Sequence, residues 1–376
     1  MKFRLQFPSK YNLNKIYFLS SLFSPFVERY LIPYPWKLVF VVNRRCNSRC
    51  QMCNIWKEKN STFLSIKQIE KIFSNNRFSF IKQITFTGGE PTLRNDLVDI
   101  FEICIRSLEN LETVHFTTSG LNTKRTLDQI ERLAVLLPRL NPNVSSLSIQ
   151  ISLDGIGTTH DLIRGISGFF NKTDETLKGL INLQKIYQYL KIRIVTVVMP
   201  QNLSDLKLII EYANNNNLEV AFSPVVFSNE FFHNIDDQER LSLNSSNYQK
   251  QASNFFQDIS NNTASSLRYY YKDIVKMLNG NIRGRRCLMG FYAFALEHDG
   301  NVYPCQFCQK NSFGNLLEQS FEEIWFKDIN KNVRNQMRTE CCSNCPAMCY
   351  TLPIDYFELS DLIFRNFFQK ITKKKT

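Results

Sequence analysis

VVNRRCNSRCQMCNIW, residues 41–56, places Cys46, Cys50 and Cys53 within eight positions, directly after a β-branched run. Thiols this close form disulfides, bind zinc or hold an iron–sulfur cluster. The opening MKFRLQFPSK is followed by no continuous apolar segment and no small-residue cleavage site, so no secretory signal is read. No run of roughly 18 apolar residues occurs, so no transmembrane helix is indicated. The expectation is a cytoplasmic protein with reduced thiols, where clustered cysteines bind metal or do redox chemistry. A structural zinc takes four protein ligands. Three thiolates at spacings of four and three instead supply three corners of a cubane and leave its fourth iron open. Zinc stays as the alternative.

The 376 residues allow one large domain and a small one, and 43% apolar content is enough for a sizeable core. Net charge is +12, with basic clusters RGRR at 283–286 and KITKKK at 370–375. Charge alone is a weak nucleic-acid footprint, and the abundance of Asn, Lys, Ile and Phe marks a general composition bias. No nucleic-acid partner is assigned. Long-range attraction of an acidic electron carrier is a second reading of the same charge.

Outward from the cysteines, strand-like and helix-like segments alternate. WKLVFVVN reads as a buried strand ending at the cysteine loop, and SIKQIEKIF follows with Ile66, Ile69, Ile72 and Phe73 at helical spacing. KQITFTGG is a second strand, and Leu97, Ile100, Phe101, Cys104 and Leu108 form the stripe of the next helix, which makes Cys104 a core residue. ETVHFTT, SLSIQISLDG, KIRIVTVVMP and LEVAFSPVVF continue as strands three to six, with helices between them. NLSDLKLIIEYA, for one, carries Leu203, Leu206, Ile210 and Ala213 on one face. Repeated strand–helix units imply a parallel sheet, either doubly wound or an incomplete barrel. In both, loops after strand C-termini carry the chemistry. Cys46 to Cys53, Gly88 to Pro91 and Ser152 to Asp154 all lie at such ends. A partial barrel brings these ends to one rim more naturally.

CNSRCQMC is a C-x3-C-x2-C triad, and TGGEP follows at the next strand end. Together they resemble the radical SAM enzymes. The resemblance implies an α/β fold, a (β/α)6 partial TIM barrel, over roughly residues 36–228. It further implies a [4Fe–4S] cluster on Cys46, Cys50 and Cys53 that binds S-adenosylmethionine (SAM) and yields a 5′-deoxyadenosyl radical. By the same resemblance Gly88, Gly89, Glu90 and Pro91 contact SAM, the two glycines admitting the methionyl amine close to the backbone. Ser152 and Asp154 of SLDG and Arg164 of IRG resemble further SAM-contacting elements. Ser152 is then expected at the ribose or carboxylate, and Arg164 opposite the methionyl carboxylate, which suits a planar guanidinium. Strand-end turn chemistry is the structural alternative for Ser152 and Asp154. Met52 stands where many relatives place an aromatic residue.

The last quarter carries a second cysteine set in RRCLMGFYAFALEHDGNVYPCQFC and ECCSNCPAMCY. The first stretch reads as a hairpin turning at Asp299-Gly300. The spacing of Cys287, Gly300 and Cys305 resembles the opening of the SPASM/twitch extension, and FGNLLEQSFEEIW at 313–325 resembles the segment that follows it. The resemblance implies an auxiliary [4Fe–4S] cluster on Cys287, Cys305, Cys342 and Cys345. Cys308, Cys341 and Cys349 are then spare thiols, and a second auxiliary cluster is the alternative.

The expected organisation is an N-terminal extension (1–34), the barrel (35–228), a helical linker (229–282), a small cysteine-rich α+β SPASM/twitch domain (283–350) and a C-terminal helix with basic tail (351–376). Ile16, Leu19, Phe23, Phe26, Val27 and Tyr30 near helical spacing are expected to pack on the barrel, with a membrane-surface helix as the alternative. DYFELSDLIFRNFF carries the same two readings. The functional expectation is hydrogen-atom abstraction that oxidises or cross-links a peptide or small metabolite, an oxidoreductase or maturase activity. SAM and a low-potential donor such as flavodoxin or ferredoxin are the expected partners. A non-catalytic iron–sulfur or zinc scaffold is the competing class, disfavoured by GGEP beside an open-site triad. His233, His298, Asp299 and Tyr303 are polar or aromatic groups near the second domain, and no catalytic base is assigned among them.

Overall fold

The first strand, β1 (Lys37–Asn43), is buried on both faces: Leu38, Phe40 and Val42 pack into the main core, while Val41 packs with Ile55 and Phe231 on the other side of the sheet. The structure is a computed structural model and describes residues 32–348, apart from 59–61, 77, 264–266, 284–286 and 343. The expectations for the stripe at 16–30, for the basic cluster at 284–286, for Cys349 and for the segment 351–376 lie outside the described residues.

Each following unit forms for local reasons. Ser65 caps α1 (Ile66–Asn75) through a reciprocal box with Gln68, and Ile69, Ile72 and Phe73 bury one face. Each such side chain contributes roughly 1.5–3 kcal/mol by leaving water. β2 (Gln83–Gly88) leads to α2 (Leu97–Ser107), where Cys104 is fully buried in the stripe, as expected. β3 (Thr113–Thr118), α3 (Thr123–Leu140), β4 (Ser146–Ser152), α4 (Thr158–Arg164), α5 (Phe169–Ile186), β5 (Leu190–Val198), α6 (Leu206–Asn215) and β6 (Glu219–Pro224) complete the run. Every neighbouring pair from β1 to β6 is parallel, in the order β6-β5-β4-β3-β2-β1. This is the parallel α/β sheet the alternation implied, in the sequential order of the partial barrel that the resemblance implied.

A short helix, α7 (Gln238–Leu241), precedes α8 (Ser246–Asn262) and α9 (Leu267–Leu278). The last two pack on β6: Phe255 stands edge-on to Phe222, and the Tyr271 hydroxyl accepts from the Phe222 amide. β7 (Ala293–Leu296) then pairs in parallel with β1, and β8 (Asn301–Tyr303) and β9 (Gly314–Asn315) add antiparallel strands. Gly300, at φ +91°, makes the β7–β8 turn. The cysteine-rich hairpin therefore extends the barrel sheet rather than standing apart from it. α10 (Phe321–Trp325) and α11 (Ile329–Met337) cover this end, with the Trp325 ring stacked on Phe321.

Candidate functional site

The cysteine loop leaves the C-terminal end of β1 and is pinned from two sides. The Arg49 amide donates to the Arg164 carbonyl (3.0 Å) and the Gln51 amide to the Ile163 carbonyl (2.8 Å), so the end of α4 holds it. The Gly89 amide donates to Asn43 O (2.9 Å) and the Glu90 amide to Arg45 O (2.8 Å), so the loop after β2 holds it as well. Cys50 is buried, and Cys46 and Cys53 are partly so. Burial, with the neighbouring Cys50 and Glu90, pushes the Cys46 thiol up to about 12. Burial and the other two sulfurs raise Cys53, and burial raises Cys50 despite the opposing Arg164 charge. Three thiols that burial keeps protonated become thiolates together only when a cation joins them. Three thiols on one loop supply one ligand fewer than a structural zinc takes and three corners of a cubane.

Gly88 and Gly89 serve the cysteine loop first. A Cβ on Gly88 would lie 2.3 Å from Asn43 O, and one on Gly89 2.3 Å from Arg45 O. The glycines let two loops approach each other, a tighter demand than the ligand contact expected of them. Pro91 opens a single 3-10 turn, and the Glu90 carboxylate is fully engaged: it accepts from Thr92 N, Thr92 Oγ1, Thr118 Oγ1 (2.9 Å) and Ser119 N (2.7 Å). Its side chain is a brace between β2 and β3.

Asp154 and Arg164 come together as a buried ion pair, Oδ2 to Nη2 at 2.5 Å, and Arg164 Nη1 lies 3.4 Å from Cys50 Sγ. Burial raises the Asp154 carboxyl although Arg164 and the Val197 amide oppose it. Burial works against the Arg164 charge, but Asp154 and Cys50 more than restore it. Arg164 Nε, Ser119 Oγ, Asn43 Oδ1 and Asn47 Oδ1 are buried with no hydrogen-bond partner. Polar atoms left unpaired around a thiol triad are what a bound polar cofactor would satisfy. Ser152 ends β4 on the half-buried side shared with Gln150. Met52 packs with Ile163, Met199, Val225 and Leu241 as an apolar wall beside Cys50.

The second set also assembles. The Cys342 thiol donates to Cys287, which draws Cys287 below the ordinary thiol range with help from Arg283 and Arg338 and raises Cys342. Cys305 and Cys345 lie near enough to raise Cys342 further. Cys287, Cys305 and Cys345 thus all act on the Cys342 thiol, with the positive charge of Arg283 and Arg338 beside Cys287. One expectation is corrected: Cys308 and Cys341 are not spare thiols but joined by a disulfide, because the Cys305 loop lies against the turn that carries Cys342.

Arg44 and the aromatic residues at the rim carried no sequence signal. Buried Arg44 bonds Glu297 Oε2 (3.2 Å), Glu58 Oε1 (3.1 Å), Glu230 O (2.9 Å) and Gln309 Oε1 (2.5 Å), tying the cysteine loop to the hairpin. Residues 228–234 cross from β6 to the same place: Asn54 N donates to Phe232 O (2.8 Å), and Ser228 Oγ donates to Phe307 O (2.8 Å). Phe231, Phe232 and Phe307 fill the space between the two cysteine groups, with Phe232 stacked on Phe307 at 5.1 Å. His233 sits at φ +51° and faces Glu58 Oε1 at 2.7 Å. His298 stays with its hairpin, 3.1 Å from Glu297 Oε2, and Asp299 closes the turn through Asn301 N (3.0 Å). Of these residues only His233, His298 and Asp299 stood out in the sequence, and no role was assigned to them there.

Residues 40–213 match the radical SAM superfamily, and residues 287–346 match SPASM, an iron–sulfur cluster-binding domain. The cysteine-type anaerobic sulfatase-maturating enzyme of Clostridium novyi is 25% identical over 332 residues, 82% of this chain and 84% of that protein. Streptococcus suis SuiB bound to S-adenosylmethionine shares the fold at a TM-score of 0.59 and 14% identity, over 92% of this chain and 80% of that one. Native anSMEcpe with bound AdoMet and Cp18Cys peptide does so at 0.54 and 17%, over 90% and 97%.

Proposed function

Because this chain belongs to the radical SAM superfamily and carries a C-terminal SPASM-type iron–sulfur domain, we propose that it is a maturase that oxidises or cross-links a peptide. The observation that carries this reading is the pinned thiol triad with unpaired buried polar atoms around it, at the strand ends of a partial barrel. Cys46, Cys50 and Cys53 hold the SAM-binding [4Fe–4S] cluster. When bound, cluster and SAM supply a one-electron carbon–sulfur cleavage whose 5′-deoxyadenosyl radical takes a hydrogen atom from substrate. Gly88 to Pro91 shape the loop that receives the methionyl amine, while Arg164, oriented by Asp154, offers its remaining donor to the methionyl carboxylate. Ser152 meets the ribose or carboxylate from the end of β4. Met52 and its apolar neighbours keep water from the Cys50 side.

Cys287, Cys305, Cys342 and Cys345 hold an auxiliary [4Fe–4S] cluster, with the aromatic group of Phe231, Phe232 and Phe307 between it and the triad. A peptide is favoured because the maturating relative aligns over most of both chains and a like-folded structure holds a peptide. The net charge of +12 suits an acidic, low-potential flavodoxin or ferredoxin as electron donor. The test is anaerobic reduction with SAM and measurement of 5′-deoxyadenosine. Formation that vanishes in Cys46→Ala/Cys50→Ala/Cys53→Ala supports the reading. No formation by iron-loaded wild-type protein returns the chain to an iron–sulfur scaffold.

A further inference from the structure

We propose that Cys308 and Cys341 form a thiol-redox clamp that sets the spacing of the auxiliary-cluster ligands and slows loss of that cluster. The inference rests on the auxiliary-cluster reading above. The disulfide spans 33 residues of sequence and joins backbones whose Cα atoms lie 6.2 Å apart. Its two ends are placed tellingly. Cys308 bridges Cys305 in the same loop, and Cys341 immediately precedes Cys342 in the turn after α11. One covalent link therefore ties a segment bearing one proposed ligand to a segment bearing another. The first half is an isolated bridge whose neighbours Phe307 and Gln309 are bonded to Ser228 and Arg44 on the barrel side, and the second is a single π-helical turn. A crosslink confines such segments by removing their separated conformations.

The link lies just beneath the surface, with Cys308 buried and Cys341 half-buried, so an exchanging thiol reaches it from the Cys341 side. A shallow recess lined by Pro304, Cys308, Lys310, Gln336, Met337 and Glu340 lies over it, with the Lys310–Glu340 ion pair (2.8 Å) among its walls. A small disulfide is the oxidant by class. The Cys341 thiolate attacks it, expelling one small thiol and leaving a mixed disulfide. Cys308 then attacks the Cys341 sulfur and expels the second. Two electrons pass from the protein pair to the small disulfide, and the two cysteine protons leave on the released thiols. A small dithiol reverses the step.

The test uses anaerobically iron-loaded full-length protein. First, thiols are blocked with N-ethylmaleimide under non-reducing denaturation and peptides are mapped by mass spectrometry. A linked Cys308–Cys341 peptide pair is expected. Second, iron release to a ferrous chelator is timed before and after dithiothreitol, in wild type and in Cys308→Ser/Cys341→Ser. Reduction of wild type should speed release of about half of the roughly eight irons by at least ~10-fold. The variant should release at the fast rate with or without dithiothreitol. Free Cys308 and Cys341 in the loaded protein would overturn the clamp, above all with about twelve irons falling to about eight in the variant, the mark of a further cluster. A linked pair with unchanged release rates would overturn it too. If the auxiliary cluster itself is absent, wild type and variant both hold only about four irons, a separate outcome.

Discussion

At the scale of single residues, the site depends on how few groups serve two tasks. Arg164 touches both Asp154 and Cys50, so its guanidinium is oriented before any ligand arrives. Arg164→Ala should weaken SAM binding by roughly 1.5–3 kcal/mol, the range for hydrogen bonds to charged groups. Arg164→Lys should restore little, because an ammonium lacks the planar fork. Calorimetric titration of SAM into iron-loaded protein checks both, and an unchanged dissociation constant would confine Arg164 to its ion pair with Asp154. The triad makes a complementary prediction. Cys46→Ala/Cys50→Ala/Cys53→Ala should lose about four irons and all SAM cleavage while the auxiliary iron stays, because the two thiol groups sit on different segments. Iron analysis with Mössbauer spectroscopy reads this directly.

At the scale of elements, loops are held by neighbours that tolerate almost no change. Gly89→Ala places a methyl against the Arg45 carbonyl, and backbone on both sides leaves no flexible side chain to yield. Overpacking of this kind costs roughly 1–3 kcal/mol, to be seen as a lower melting temperature together with faster loss of the triad cluster. Two buried histidines, His115 in β3 and His160 in α4, carry a pH dependence as well. Burial, with Arg164 nearby, lowers His160 from 6.5 to about 3, and burial with Lys37 and Arg193 does the same to His115. The unfolded chain takes up these protons below about 6.5, but the folded one does not until about 3. Stability from both groups is therefore intact above about 6.5 and falls with pH through that window, by up to ~1.4 kcal/mol per unit for each histidine. Melting temperatures at about pH 7.5 and 5.5 should differ less in His160→Asn, whose amide oxygen can still accept from Asp154 N. An equal difference would place the acid sensitivity elsewhere.

At the scale of the whole molecule, the barrel and the cysteine-rich hairpin are one sheet, locked at its rim by Arg44. Its Glu297 partner has a side chain only 2% exposed. Arg44→Met leaves that carboxylate buried without its cation, a loss of roughly 3–5 kcal/mol. Arg44→Met/Glu297→Gln should recover part of it. A double-mutant cycle on thermal unfolding, with iron counted in each protein, measures the coupling. If Arg44→Met melts like wild type, the network is not what joins the two parts.

The sequence by itself determined what repeats or recurs at short range. Strand alternation, helix stripes, the Cys46-Cys50-Cys53 spacing and GGEP one unit later are local patterns, so the six parallel strands and the triad were legible. The grouping of Cys287, Cys305, Cys342 and Cys345 was legible only through resemblance, since nothing in their spacing brings them together. Tertiary structure alone decided that β7 pairs with β1, that Glu90 braces β3, that Cys308 finds Cys341 and that Arg44 finds Glu297. The physical reason is distance along the chain. Arg44 and Glu297 are 253 residues apart, and a contact made by folding at that separation leaves no periodicity or spacing to read.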